Sequence, residues 1–206
     1  MVLKNKSMLT SCYNINQLEA GCDEAGRGCL AGPVFAAAVI FPLNYSNGFI
    51  QDSKKLSEKQ RNELRIVIEN EALCWAVAKI NADEIDKINI LQASIKAMNI
   101  ALNKLNVKPN FILIDGNRFH TDLTIPYLCV VKGDATYLSI AAASILAKTY
   151  RDDYMQCLHN KYPSYAWNKN KGYPSCEHRN AIINHGITEY HRRSFRLIPS
   201  QLRLNL

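Results

Sequence analysis

The sequence predicts an α/β protein with a mixed central sheet flanked by helices. Three observations predict it. Short, continuously apolar runs read as buried strands, helix-period stripes lie between them, and the two kinds alternate along the chain. The 206 residues are 48% hydrophobic and 21% charged, the proportions of a globular chain rather than a disordered or fibrous one. That length allows one domain with a sizeable core and no need for disulfides or a structural metal.

Val34–Phe41 (VFAAAVIF) is apolar throughout and reads as a buried strand, pairing with an earlier strand that ends near Cys22 and Asp23. Ser57 with Gln60 three residues on is a capping box, so a helix runs from there to about Glu71. Cys74–Ile80 resumes a strand-like pattern. Leu91, Ile95, Met98, Leu102 and Leu105 fall at helical spacing, and that helix ends before Pro109. Phe111–Ile114 and Tyr127–Val131 are two further strands. From about Leu138 to Tyr154 the chain is rich in Ala, Ser, Ile and Leu, which suits a helix packed closely on the sheet. Ser175 to His185, closed by Gly186, is the last helix. Repeats, low-complexity tracts and Pro/Gly/Ser-rich linkers are absent from the sequence, so no firm domain boundary is placed.

Lys and Arg number 25 against 18 Asp and Glu, a formal net charge of +7. The excess is uneven. Residues 161–206 carry eight basic and two acidic residues, whereas residues 1–160 carry seventeen and sixteen. A near-neutral body with a basic C-terminal quarter points to a polyanion partner, with a solvated basic face as the plain alternative. Seven cysteines at 12, 22, 29, 74, 129, 157 and 176, with no C-x-x-C, make neither a disulfide framework nor a zinc ribbon. Reduced thiols in a cytoplasmic protein fit better. The N-terminal Met-Val-Leu-Lys-Asn-Lys lacks the apolar stretch of a secretory signal. The apolar run Val34 to Leu43 is too short to span a bilayer, so no membrane association is expected.

The acids carry the chemistry. Asp23 and Glu24 stand beside the glycine-rich Gly26-Arg27-Gly28 turn. Neighbours in a strand point to opposite faces, so both approach one centre only where the strand ends or bends; otherwise they form an acidic surface turn. Asp115 follows the apolar run Phe-Ile-Leu-Ile, at the strand end where α/β sheets build their sites; a turn or helix cap is the alternative. Asp134 precedes the Ala-rich helix and reads equally as its N-cap. Asp152 and Asp153 read as surface acids or partners of Arg151 and Lys148. Four converging carboxylates repel one another unless a cation sits between them. Mg²⁺ or Mn²⁺, hard ions that prefer oxygen, are the natural occupants, and a pair of them suits phosphodiester hydrolysis.

At this point the residues resemble a known family, the type 2 ribonucleases H, most closely the bacterial ribonuclease HII branch. The matching segments are Asp-Glu-Ala-Gly-Arg-Gly at 23–28 with Leu-Ala-Gly-Pro-Val at 30–34, Asp-Ser-Lys-Lys-Leu-Ser at 52–57 and Ile-Asp-Gly-Asn-Arg at 114–118. Val-Lys-Gly-Asp at 131–134, the Ser-Ile-Ala-Ala-Ala-Ser-Ile-Leu-Ala-Lys run at 139–148 with Arg151-Asp152, Lys-Gly-Tyr-Pro at 171–174 and His-Arg-Arg-Ser-Phe at 191–195 follow in order.

The resemblance implies an RNase H-like fold with a C-terminal helical extension: a catalytic core over 1–160 and a basic helical segment over 161–206 packed on it. It implies endonucleolytic cleavage of RNA in RNA–DNA hybrids and nicking 5′ of ribonucleotides embedded in duplex DNA. Its metal-binding, catalytic acids fall on Asp23, Glu24, Asp115 and Asp134, with Mn²⁺ or Mg²⁺ as cofactor. Gly26-Arg27-Gly28 falls on the family's ribonucleotide sensor, and glycine permits the close approach to the 2′-OH that separates RNA from DNA. Tyr173 falls on the tyrosine that packs on the sugar beside the junction; taken alone, it reads as core packing.

Lys54, Lys55, Lys171, Arg192 and Arg193 are phosphate-contact candidates, each alone a solvated charge, together a source of salt-sensitive binding. Ser194 either donates to a phosphate or caps local structure. Cys29, Ser175 and Asn170 depart from the family pattern of proline, threonine and histidine, and Cys29 is expected to loosen the turn beside the sensor. Two other readings compete. A ribonuclease HIII-like enzyme shares the chemistry, although that branch usually carries an added N-terminal domain and only about twenty residues precede Asp23. A non-catalytic nucleic-acid-binding protein has no need of the four acids together. A monomer is expected; no protein partner is indicated.

Overall fold

The structure, a computed structural model, describes residues 9–198. The N-terminal stretch read above for a secretory signal and the last eight residues of the basic segment lie outside the described residues. The elements are β1 (Glu19–Ala25), β2 (Val34–Ile40), α1 (Glu58–Glu71), β3 (Cys74–Ile80), α2 (Ala82–Asn103), β4 (Phe111–Asp115), β5 (Tyr127–Val130), α3 (Leu138–Lys161), α4 (Trp167–Asn170) and α5 (Cys176–His185). Three 3₁₀ turns at Ser53–Lys55, Gly133–Ala135 and Pro163–Tyr165 complete it.

The five strands form one mixed sheet in the order β3-β2-β1-β4-β5. β1, β2 and β3 are antiparallel neighbours, whereas β4 runs parallel to β1 and β5 parallel to β4. The carboxyl ends of β1, β4 and β5 therefore share one edge, where open α/β sheets place their ligands.

Alternation along the buried β2 divides the core. Val34, Ala36, Ala38 and Ile40 pack with α2 residues such as Ala93, Ala97 and Ala101. Ala37 and Val39 face the other way, onto the Ala-rich α3 and onto Leu64 and Ile68 of α1. Gly21 lets α3 approach closely, because a Cβ there would stand 2.2 Å from the Ser139 backbone. A third cluster, with Leu30, Met155, Trp167 and Ile182, joins the far end of α3 to the C-terminal segment.

The capping box is present, with the Ser57 hydroxyl accepting from the Gln60 N–H and the Gln60 side chain accepting from the Ser57 N–H. Ser175 caps α5 and Gly186 closes it. Two helices are longer than their patterns suggested. α3 continues to Lys161 and stops just before Pro163. α2 begins at Ala82 and kinks at Asn89, whose φ is 65°. The Asn89 Oδ1 accepts from the Leu91 and Gln92 N–H groups, so it restarts the helix as a cap. The apolar stripe from Leu91 belongs to this second part. Among the described residues no helix is long and apolar enough to cross a membrane.

Candidate active site

The sheet edge gathers the four acids by topology. The register that pairs Cys22 with Ile114 brings Asp23 and Asp115 to the same level one residue on. Asp134 lies in the 3₁₀ turn after β5, anchored to β4 because the Gly133 N–H donates to Asp115 Oδ1 at 2.7 Å. Asp23 and Glu24 both lie within β1, near its end. Asp23 is buried and faces α3, where Ser144 hydrogen-bonds to it; Ser144 in turn meets Ser53 at 3.0 Å between hydroxyl oxygens. Glu24 pairs with Arg27 at 3.1 Å. Lys54 Nζ stands 2.7 Å from Asp134 Oδ2, a bond that raises the lysine pKa.

Burial raises the Asp23 carboxyl well above the ordinary range, and the charges of Glu24 and Asp115 add to it. Burial also raises Glu24, with Arg27 opposing and Asp115 reinforcing. Asp115 is raised by burial and then by Asp134. Among the described residues no group of three or more His, Cys, Asp or Glu stands together closely enough to hold a metal as placed. The donor set still fits a hard divalent cation. Every donor is a carboxylate, three of them are pushed toward protonation by burial and by one another, and two cationic side chains sit on the acids.

Asp23, Glu24 and Asp115 line a cleft of about 280 Å³ together with Gly26-Arg27-Gly28, Lys54 and Tyr173. The largest cavity described, about 690 Å³ between α2 and the loop after β4, contains none of the expected site residues. At Gly26 φ is +94°, and a Cβ there would lie 2.0 Å from the Arg151 guanidinium. Only glycine meets both demands. Cys29, where the family has proline, lies beside this turn. Its N–H, which proline would lack, approaches the Gly26 carbonyl at 3.4 Å, and the residue is wholly buried.

Besides Lys54, three phosphate-contact candidates are engaged within the protein. Arg192 is fully buried, its guanidinium donating to the carbonyls of Gly26 (2.8 Å), Arg27 (2.8 Å) and Gly32 (2.9 and 3.0 Å). It braces the glycine turn, and desolvation pushes its pKa down to about 10. Ser194 takes the capping alternative, donating from both N and Oγ to Asp86, which also accepts the Arg193 N–H. The Lys171 side chain is 13% exposed, 3.7 Å from Glu58. Lys55 and the Arg193 side chain are exposed. Asp152 pairs with Lys148, as one of its two readings had it, and is buried rather than superficial.

Ser53, Ser144, Lys148 and Arg151 were not singled out as site residues, although Arg151 is fully buried and donates to the carbonyls of Ala31, Pro33 and Lys171. Ser144, Lys148 and Arg151 fall at i, i+4 and i+7 along α3, a polar stripe visible in the sequence.

A mixed five-stranded sheet with helices on both faces and acids at the carboxyl ends of its parallel strands defines an RNase H-like α/β nuclease. The Ribonuclease HII family model matches residues 20–198. A ribonuclease HII of Bacteroides thetaiotaomicron is 60% identical over 199 residues, covering 96% of this chain and all of that protein. One from Parabacteroides distasonis is 60% identical over 197 residues, covering 96% and 99%. The crystal structure of ribonuclease H2 from Pyrococcus horikoshii superposes with a TM-score of 0.74 at 26% identity, covering 87% of this chain and 94% of that one. The chain belongs to the ribonuclease HII family and is a hydrolytic nuclease with ribonuclease H activity. Bst-RNase HIII in complex with Mn²⁺ shares the fold, with a TM-score of 0.70 at 18% identity, but this chain covers only 70% of it. Neither the HIII-like nor the non-catalytic reading is favoured.

Proposed function

We propose that this chain cuts the RNA strand of RNA–DNA hybrids and also nicks duplex DNA on the 5′ side of embedded ribonucleotides. One observation carries the reading: carboxylates suited to phosphodiester hydrolysis share a single cleft with the Gly26-Arg27-Gly28 turn and Tyr173. Asp23, Glu24, Asp115 and Asp134 would hold Mn²⁺ or Mg²⁺, which supplies Lewis-acid activation of the phosphodiester when bound.

The chain's own residues orient both partners. Ser144, backed by Ser53, fixes the Asp23 carboxylate. Lys54 holds Asp134 and puts a cation where a phosphate arrives. Backbone groups of Gly26-Arg27-Gly28 meet the 2′-OH, and the Tyr173 ring, 44% exposed, packs on the neighbouring sugar. Lys55 and Arg193 contact backbone phosphates, so binding weakens with salt. The basic segment, through its described residues 161–198, acts as part of the same domain as the core, by its cluster with Leu30 and Met155. The seven cysteines, all free, suit a monomer working in the reducing cytoplasm.

Incubation with a long hybrid and with a duplex bearing one ribonucleotide, in Mn²⁺, Mg²⁺ or EDTA, tests this reading. Cleavage of both with metal, on the 5′ side of the ribonucleotide, and none in EDTA is expected. Unchanged strands in either metal would overturn it.

A further inference from the structure

Beneath the Tyr173 turn lies a buried polar cluster that the hydrolytic site does not use. Trp167, His178 and His191 are each at most 1% exposed. The Trp167 indole N–H donates to His178 Nε2 at 3.0 Å. An indole can only donate, so Nε2 of His178 carries no proton, and a neutral ring must carry it on Nδ1. Nδ1 stands 2.9 Å from the Tyr173 carbonyl oxygen and donates to it.

The same logic sets His191. Its Nδ1 accepts the Thr188 backbone N–H at 2.9 Å, so its proton lies on Nε2, 3.2 Å from His178 Nε2. His178 Nε2 thus accepts from Trp167 and His191 together. Protonating His178 there would set its own N–H against both donors. Burial keeps both rings neutral, pushing His191 down to about 4.

The backbone on either side of the tyrosine is pinned. The Tyr173 N–H donates to the Asn170 carbonyl at 2.9 Å, and its carbonyl accepts from Ser175 N–H at 2.8 Å as well as from His178. We propose that His178 is a positioning residue for Tyr173, its Nδ1–H held in that tautomer by Trp167 and His191. His191 adjoins Arg192, which holds the Gly26 and Arg27 carbonyls. One short segment therefore braces both substrate-reading elements. The proposal rests on the reading that Tyr173 packs on the sugar beside the ribonucleotide.

Asparagine places an amide N–H near the position of Nδ1, glutamine near that of Nε2. kcat and KM are measured for His178→Asn, His178→Gln, Tyr173→Ala and the double variant His178→Gln/Tyr173→Ala, on the single-ribonucleotide duplex and the long hybrid. His178→Gln is expected to lose about tenfold more kcat/KM on the single ribonucleotide than on the hybrid, as for a slightly misplaced contact. His178→Asn restores the wild-type preference, and His178→Gln adds no selective loss to Tyr173→Ala. Equal losses for the Asn and Gln variants on both substrates, or a selective loss that persists without the tyrosine ring, overturn the proposal.

A Tyr173→Ala variant that loses equally on both substrates removes the reading of the tyrosine, and the proposal with it. A selective Tyr173→Ala beside an unselective His178→Gln removes the proposal alone. Imidazole ¹⁵N shifts of the wild-type protein give a check that no folding defect obscures. His178 protonated on Nδ1 and His191 on Nε2 are expected, and the opposite tautomer of His178 overturns the proposal.

Discussion

At the carboxylate end of the cleft the balancing cations are few and exposed: the Lys54 side chain is 74% and the Arg27 side chain 50% accessible. At the Tyr173 end two guanidiniums, Arg151 and Arg192, are fully buried and spend their donors on backbone carbonyls of the glycine turn and its surroundings. The first region carries repulsion among Asp23, Glu24 and Asp115 that Arg27 offsets only in part. The second is satisfied and rigidly cross-linked. The difference follows from what each must do. Carboxylates meant for a cation stay under-neutralised until it arrives. A surface that reads one hydroxyl must hold its shape beforehand.

The largest effect expected on this contrast comes from Asp23→Asn, which lowers cleavage by about 10³-fold or more while duplex binding persists, as gel shift beside a cleavage assay will tell. The same change stabilises the metal-free protein. A carboxyl whose folded pKa is raised destabilises when ionised, so the penalty is full above the folded pKa and vanishes toward the unfolded value of 3.8. At pH 8 the asparagine variant should melt higher than the wild type, and the gap should close on acidification.

Arg192→Lys probes the other region. Losing the fork leaves carbonyls of Gly26, Arg27 and Gly32 short of donors, at about 2–3 kcal/mol, read as a fall in urea midpoint. Unchanged stability with weaker duplex binding would return Arg192 to the phosphates. Tyr173→Ala should cost about tenfold more on a single ribonucleotide than on a long hybrid, and an equal loss on both would make the ring structural. The smallest effect belongs to Lys55→Ala, a uniform weakening on all duplexes with the salt slope reduced by about 1.

Several features were legible before the fold. The apolar VFAAAVIF run, the Ser57–Gln60 box and the Asp115 strand end carry local signals, and each element stands where its pattern put it. The first part of α2 was not legible, because Asn89 interrupts the helical stripe with a positive φ. Arg192 was misread because a basic residue carries the same local signal whether it meets a phosphate or a buried carbonyl.

The amino-acid sequence alone determined the α/β class, the strand-end acids and the ordered motifs that identify the family, since periodicity and motif spacing are properties of neighbouring residues. Only the tertiary structure decided how the basic charge is used. The parallel pairing of β1 with β4 brings Asp23 level with Asp115 across about ninety residues of chain. The docking of the His191-Arg192 segment withdraws a guanidinium from solvent to hold a turn some 165 residues earlier. A donor's partner depends on which acceptors burial leaves unsatisfied, and long-range packing sets that.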